Sequence, residues 1–174
     1  MQNEFSTFDL IKALKIPRER LREWMKRGYV HPTRKAEGQG DKAVFLREDV
    51  YALALFRRLV DFGFSRKLAG EFVTGFTTRE RNEPPHQKSE IIIFHIKGDK
   101  ISVLTLAHGS SKEVYPYLWD INSGSLSMGR IPTLAKIKLP SGEPLLYSEE
   151  WDQVHMVNYR GLKKQVDEAL SILD

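Results

Sequence analysis

The sequence predicts an α+β protein whose N-terminal part is helical and whose C-terminal part is rich in strands. Apolar residues recur at helical spacing up to residue 76, whereas runs of β-branched residues follow residue 90. The polar segment between them, residues 77–89, contains Pro84 and Pro85 and shows no apolar periodicity, which is typical of a linker. We therefore expect one domain over residues 1–76 and a second over residues 90–174.

Two short helices are predicted within the first 30 residues. Ser6 and Thr7 are N-cap residue types, and apolar residues at helical spacing follow until Pro17 restricts the residue before it. Pro17 also suits the first position of a second helix over residues 18–27, which Gly28 can end with a left-handed cap. This second helix has an apolar arc of Leu21, Trp24 and Met25 beside a flank that carries Arg18, Arg22 and Lys26.

The following segment predicts a basic loop and then two further helices. Residues 31–45 contain proline and glycine among basic residues, which indicates a mobile loop between two short strands. Glu48 and Asp49 suit the start of a third helix that Gly63 ends, and Ser65 can cap a fourth helix. The basic residues of the loop are Arg34, Lys35 and Lys42.

The second domain is predicted to contain a sheet and a final helix. Residues 91–97 and 100–106 are two β-rich runs, and Gly98 with Asp99 between them favours a hairpin turn. We further expect strands at residues 114–119 and 131–139 and an amphipathic helix with an apolar stripe from Leu162 to Leu173, while residues 151–159 stay unassigned. We expect the apolar stripe to pack within its own domain rather than against a second copy of itself.

Positive charge is concentrated in the N-terminal half. Residues 1–80 hold 16 Lys and Arg against 11 Asp and Glu, whereas residues 81–174 hold 11 against 12. Within residues 12–47 the count is 11 against 4, which favours a polyanionic partner over a solvated surface of mixed sign. The absence of cysteine excludes disulfides, thiolate zinc sites and a cysteine nucleophile. Because no apolar run is long enough for a membrane helix and no signal peptide is recognisable, we expect a cytoplasmic protein without membrane contact.

Several residues occur in the order and spacing of a known regulator family. They are Leu21 and Arg22 in the second helix, Gly28 and Pro32 after it, Phe45 with Asp49 at an aromatic-x3-aspartate spacing, and Gly63, Phe64 and Ser65 at a glycine-phenylalanine-serine turn. From Phe5 to about Phe72 the sequence thus resembles the MerR family. The resemblance implies a winged helix-turn-helix, in which the second helix recognises DNA and the basic loop is the wing.

The departures from the family pattern limit what the resemblance implies. Ala43 stands two residues before the wing aromatic, where the family usually has an arginine, and Glu23 with Trp24 replaces the usual aromatic pair. The family's long dimerising helix is absent from residues 76–85, so its spacer-untwisting activation mechanism does not carry over. The cysteines of its metal sensors are also missing, which excludes thiol-based metal or redox sensing.

The basic residues of the second helix and of the wing are the predicted DNA contacts. An arginine fork matches O6 and N7 of guanine in the major groove, whereas wing residues are expected on phosphate or in the minor groove. The alternative for each group is a solvated surface, and we expect Trp24 and Phe45 to be core aromatics rather than base-stacking platforms. The predicted DNA-binding residues are Arg18, Arg20, Arg22, Lys26, Arg34, Lys35 and Lys42.

The sequence favours a binding protein over an enzyme. No histidine pair has the i, i+4 spacing of a helical zinc site, and the acidic residues of the second domain lack a neighbouring nucleophile elbow or phosphate loop. We therefore expect no metal, no cofactor and no enzymatic activity.

The leading interpretation is a sequence-specific DNA-binding transcriptional regulator that acts as a homodimer on double-stranded DNA. Its second domain would assemble the protein or sense a small-molecule or protein effector. One alternative is an accessory protein of a mobile element, of the excisionase or packaging type. The other is an adaptor whose C-terminal domain is enzymatic or binds a protein partner.

Overall fold

The computed structural model describes residues 4–36, 38, 42–84, 88–98, 100–108, 114–120, 125–127 and 152–173. The chain divides into two compact units, the first made of Met1–Glu83 with Arg160–Asp174 and the second of Pro84–Tyr159. Helices come first along the chain, strands follow and a helix comes last, which confirms the predicted α+β class. Among the described residues, no helix is both long and apolar enough to cross a membrane.

The first unit is mainly helical. In chain order its elements are β1 (Glu4–Ser6), α1 (Thr7–Leu14), α2 (Arg18–Lys26), β2 (Val44–Leu46), α3 (Arg47–Asp61), α4 (Arg66–Asn82) and α5 (Tyr159–Ser171), of which α5 starts at the last residue of the second unit.

The start of α1 and the link to α2 follow from local chemistry. Ser6 caps α1, because its hydroxyl accepts from the Asp9 amide while the Asp9 carboxylate accepts from the Ser6 amide at 2.7 Å. Lys15 then takes a left-handed conformation, with a φ of 51°, and ends the helix. Pro17 is the N-cap of α2, one position earlier than predicted, and its carbonyl accepts from the Leu21 amide at 3.1 Å.

Glycine ends α2 and α3 in the same way, as predicted. Gly28 has a φ of 71°, and the Tyr29 amide beyond it donates to the Trp24 carbonyl at 2.9 Å. Gly63 has a φ of 94°, and the following amide donates back to the last turn of α3. Both ends are Schellman motifs, which need the left-handed conformation that glycine adopts without strain. Ser65 then caps α4 through the Leu68 amide, also as predicted.

Of the two short strands expected beside the basic loop, the one after it is present as β2, but its partner is β1 at the N-terminus and not a strand before the loop. Strand β1 pairs antiparallel with β2, and Phe5 lies opposite Phe45. Both phenylalanines are buried. A strand of three residues is too short to show alternation, so only the buried partner could have revealed β1.

Helix α4 is longer than the sequence predicted. It continues to Asn82, so residues 77–82 are helical where a linker was expected. Phe76 and Glu80 are both buried, at the i, i+4 spacing of one helix face. The periodicity was missed because one of these two buried residues is a glutamate.

Helix α5 belongs to the first unit, whereas the sequence placed it with the strands. Its apolar stripe of Leu162, Val166 and Leu170 is buried. Leu162 and Val166 line a groove of about 340 Å³ that α1 and α3 also border through Leu14 and Ala54. Packing of the stripe within its own domain was predicted, and the residues that line this groove with it belong to the helical unit.

The described part of the second unit forms a five-stranded antiparallel sheet. Its strands are β3 (Ser89–Lys97), β4 (Lys100–His108), β5 (Val114–Asp120), β6 (Ser125–Ser127) and β7 (Gln153–Asn158), in the order β6-β5-β4-β3-β7. The predicted hairpin is present, with Gly98 at a φ of 57° in its turn. Strand β5 agrees with the predicted fourth strand, and β7 fills the segment left unassigned. The strand predicted at residues 131–139 lies outside the described residues.

The register of this sheet groups several buried side chains on one face, and β3 is buried on its other face as well, at Ile93 and His95. Ile92 lies opposite Thr105 on one side and Val157 on the other, and Phe94 lies opposite Val103. Cross-strand neighbours share a face, and all five of these side chains are buried. The sheet also brings the two ends of the unit together, because Ile91 near its start pairs with Asn158 near its end.

Candidate nucleic-acid interface

Helix α2 is fixed by two buried side chains on one face. Leu21 is fully buried and Trp24 is 2% exposed. The Trp24 ring meets the Phe56 ring edge-on at 4.9 Å, and the Tyr29 ring stacks on Phe56 at 6.0 Å between ring centres. The prediction that Trp24 and Phe45 are core aromatics is confirmed. This packing holds α2 against α3 and turns its opposite face outward.

Three predicted residues form a continuous basic stripe on the outward part of α2. At about 100° per residue, Arg18, Arg22 and Lys26 fall within about 80° of one another around the helix axis. All three are exposed. None makes a hydrogen bond or ion pair with another residue in the part of the chain that the structure describes. Their charges are therefore available to a ligand in solution.

Arg20 does not join this stripe. It is exposed, but it lies about 160° from Arg22 around the axis of α2, on the other side of the buried face. The structure therefore separates the four predicted basic residues of α2 into a group of three and a single residue on the opposite flank.

Acidic neighbours do little to neutralise the stripe. The Glu23 carboxylate lies 3.3 Å from the Arg27 guanidinium and 3.6 Å from that of Arg66 at the start of α4. Because Glu23 already has two cationic neighbours, its charge is offset locally. These pairs are partly exposed, so they contribute little to stability.

The basic loop begins and ends at a pair of backbone hydrogen bonds. The Arg34 amide donates to the Val44 carbonyl at 3.1 Å, and the Val44 amide donates to the Arg34 carbonyl at 2.9 Å. Arg34, Lys35 and Lys42 are all exposed, on the two arms that this bridge joins. The bridge thus brings the three predicted loop residues onto two neighbouring arms, and residues 37 and 39–41 between these arms lie outside the described part.

A network around Asp49 supports this loop. The Asp49 side chain is buried, and its carboxylate accepts hydrogen bonds from the Thr33 hydroxyl, from the Leu46 amide at 2.9 Å and from the Arg81 guanidinium. We call Thr33, Leu46, Asp49 and Arg81 the Asp49 network. The sequence indicated Asp49 through its spacing from Phe45, but nothing in the pattern indicated Thr33 or Arg81 as its partners.

A second polar cluster fixes α5 to the start of α3. The Asp167 carboxylate accepts from the Arg47 guanidinium at 2.6 Å and from the Tyr51 hydroxyl at 2.7 Å. Burial, followed by the hydrogen bond to Asp167, raises the pKa of Tyr51 to about 12. The hydrogen bond to Asp167 also raises the pKa of Arg47. The sequence gave no signal for this contact, since 116 residues separate Tyr51 from Asp167.

The histidines and carboxylates do not assemble a metal site in the described parts of the chain. Among those residues, no group of three or more His, Asp or Glu side chains is close enough to hold an ion. His95 is buried in β3, and burial lowers its pKa.

The arrangement in the first unit is that of a helix-turn-helix, the domain type with which many regulators bind DNA. Two short helices are joined by a tight turn, and the second presents a basic outer face above a buried core. Residues 5–74 match the family model described as MerR HTH family regulatory protein. The N-terminal region is therefore a MerR-like helix-turn-helix of the kind found in DNA-binding transcriptional regulators. The match covers less than half of the chain and excludes the sheet, and no curated protein matches the chain.

Proposed function

We propose that the protein is a sequence-specific transcriptional regulator that places α2 in the major groove of DNA and the basic loop, as a wing, on the phosphate backbone. The basic stripe of Arg18, Arg22 and Lys26 carries this proposal. Buried Leu21 and Trp24 hold the stripe outward, and the MerR-like match supports DNA as its partner.

The two flanks of α2 have different roles in this proposal. The major groove is about 12 Å wide and has a phosphate wall on each side. With Arg22 directed to base edges, Arg20 on the opposite flank faces one of the phosphate walls. Arg34, Lys35 and Lys42 contact phosphates further along the duplex, which positions the protein without reading sequence.

The remaining parts of the proposal concern assembly and control. A single helix-turn-helix covers one half-site, so two copies are needed to bind two half-sites about one DNA turn apart. The five-stranded sheet then serves to assemble the homodimer or to bind a small-molecule or protein effector. Analytical ultracentrifugation with and without an operator fragment tests the homodimer.

The test of the DNA interface compares substitutions on the two flanks of α2. We expect Arg22→Ala to lose about 1 to 3 kcal/mol of specific binding and to relax the preference for one base position. We expect Arg20→Ala to weaken binding to all sequences alike and to lower the salt slope of log Kobs by about 0.9. Fluorescence anisotropy at several salt concentrations, with selected genomic fragments and a random duplex, measures both effects.

Lys164→Ala is the matched control, because Lys164 is an exposed cation on α5 whose only neighbour of opposite charge among the described residues is Glu168. It should leave both affinities unchanged. Equal affinity of the wild type and of Arg22→Ala for every fragment would contradict the assignment of α2 as the recognition helix.

A further inference from the structure

The Asp49 network connects the wing with a helix that lies far from it along the chain. Thr33 precedes the wing bridge, Leu46 ends β2, and Arg81 lies in the last turn of α4. Arg81 lies beyond the residues that the family model matches. The network therefore joins the helix-turn-helix to a part of the chain that the likeness does not describe.

We propose that Thr33 and Arg81 are positioning residues, which act through Asp49 to orient the first arm of the wing for contact with DNA phosphates. This inference rests on the proposed function. Neither residue needs to touch the DNA, since the contacts are made by Arg34 and Lys35, the two residues that follow Thr33.

The backbone alone fixes the wing incompletely. The bonds between Arg34 and Val44 set the separation of the two arms at one point. A hydrogen-bonded pair at one point sets the separation of the two arms but not the tilt of both arms together against α3. The Thr33 hydroxyl supplies a second point of attachment, to the first turn of α3, and so opposes the tilt.

Burial of the Asp49 carboxylate explains why Arg81 is part of the Asp49 network. A buried carboxylate is costly unless it is paired and hydrogen-bonded. The guanidinium of Arg81 and the amide of Leu46 offset this cost from two directions and hold the carboxylate in one orientation. That orientation places an oxygen where the Thr33 hydroxyl can reach it.

The role of Thr33 can be separated from stability. Thr33 is exposed, and when its hydroxyl is removed the Asp49 carboxylate keeps the bonds from Leu46 and Arg81. Thr33→Val should therefore fold like the wild type while the wing loses one attachment. Thr33→Ser keeps the hydroxyl and should behave like the wild type.

The first experiment measures amide hydrogen exchange in the free protein and the salt dependence of DNA binding. In Thr33→Val we expect the amides of Arg34 and Val44 to exchange about three to ten times faster, as loss of one hydrogen bond implies. We also expect the salt slope to fall by about 1 to 2, the equivalent of one or two phosphate contacts. Thr74→Val is the matched control, because the Thr74 hydroxyl bonds only within α4.

The second experiment tests whether Arg81 acts through Asp49. Arg81→Gln, like Thr33→Val, should speed amide exchange at Arg34 and Val44 and lower the salt slope of DNA binding. The double variant should show no more than the larger single effect, because both substitutions disrupt one network. The control is Lys164→Gln, which removes a charge elsewhere in the first unit and should leave the salt slope unchanged. If the effects of Thr33→Val and Arg81→Gln add in the double variant, Arg81 acts independently of Thr33.

The outcomes separate this inference from the proposed function. If the wild type binds DNA and Thr33→Val keeps wild-type exchange and salt slope, the positioning role is wrong. If the wild type shows no salt-dependent binding to any fragment, the proposed function is wrong and the phosphate contacts of the wing fall with it. Amide hydrogen exchange at Arg34 and Val44, compared between the wild type and Thr33→Val, then still tests whether Thr33 orients the loop.

Discussion

At the scale of single residues, the buried polar groups are the most informative. Asp49 and His95 are both buried, yet they are accommodated differently. The Asp49 carboxylate accepts hydrogen bonds from three donors, whereas burial lowers the pKa of His95 and favours its neutral form. The first residue connects the segment before the basic loop to α3 and α4, and the second is expected to make stability depend on pH.

The pH dependence of stability tests the state of His95. Its pKa in the folded state lies below the ordinary value of 6.5, so the unfolded chain takes up a proton first as the pH falls. The free energy of unfolding should therefore decrease as the pH falls below about 6.5. Chemical denaturation from pH 5 to pH 8 measures this decrease.

A substitution identifies the contribution of this histidine. In His95→Gln the free energy of unfolding should change less with pH than in the wild type, because residue 95 no longer ionises. A second substitution of the same residue, His95→Asn, should flatten the pH dependence in the same way. An unchanged slope in His95→Gln would show that other groups cause the pH dependence.

At the scale of elements, α5 shows how a distant segment completes a domain. Its buried stripe adds apolar contacts to the helical unit, and Asp167 adds bonds to the first turns of α3. Arg47, which donates to Asp167, also lies over the Phe5 ring at 5.9 Å, so the same side chain contacts β1. Strand β1 and helix α5 thus both contact the side chain of Arg47.

Substitution of Asp167 should therefore affect both stability and the ionisation of Tyr51. We expect Asp167→Asn to cost about 1 kcal/mol, a value reduced because the Arg47 pair is partly exposed. The pKa of Tyr51 should also fall from about 12 toward its ordinary value, although burial will keep it raised. Urea denaturation and tyrosinate absorbance measure the two effects, with Tyr51→Phe to assign the titration.

Glu168→Gln is the control, since Glu168 is the next residue and its pair with Lys164 is exposed. It should change neither the urea midpoint nor the tyrosine titration. Loss of stability in Glu168→Gln equal to that in Asp167→Asn would mean that α5 is sensitive to any change of charge.

The elements also show what the sequence can and cannot predict. The helix ends at Gly28 and Gly63 and the cap at Ser65 were predictable, because each depends on a few neighbouring residues. The same holds for the basic stripe of α2, since helical spacing alone places Arg18, Arg22 and Lys26 together. The last turns of α4 were missed because a buried glutamate interrupts the apolar pattern.

Contacts between distant residues were beyond prediction. Asp49 is bonded to Thr33 and Arg81, and Asp167 is bonded to Arg47 and Tyr51. These bonds depend on how distant segments of the chain pack together, which no local pattern encodes. The sequence placed α5 with the strands for the same reason: an apolar stripe predicts that one face of a helix is buried but does not indicate which surface covers it.

At the scale of the whole molecule, the sheet is inserted into the helical unit. The chain leaves the first unit after α4, forms the sheet and returns to the first unit in α5. The two ends of the sheet unit lie side by side, since Ile91 pairs with Asn158. Adjacent ends are what a tolerated domain insertion requires.

This topology predicts different outcomes for two shortened chains. A variant in which a short Gly-Ser linker replaces residues 85–158 should fold cooperatively, because α5 can still pack. A variant that ends at residue 83 should be much less stable, since each fully buried side chain of the lost stripe contributes about 1.5 to 3 kcal/mol. Thermal unfolding followed by circular dichroism compares them, and equal melting temperatures would show that α5 is dispensable.

The return of the chain to its first unit also has a consequence for synthesis on the ribosome. The segments that bear the basic stripe and the basic loop are translated before strands β3 to β7, and α5 emerges only after those strands. Since the nascent chain lengthens at roughly 5 to 20 residues per second, the first unit waits several seconds for its last helix. A translating ribosome therefore carries an incomplete nucleic-acid-binding unit until the final helix has left the exit tunnel.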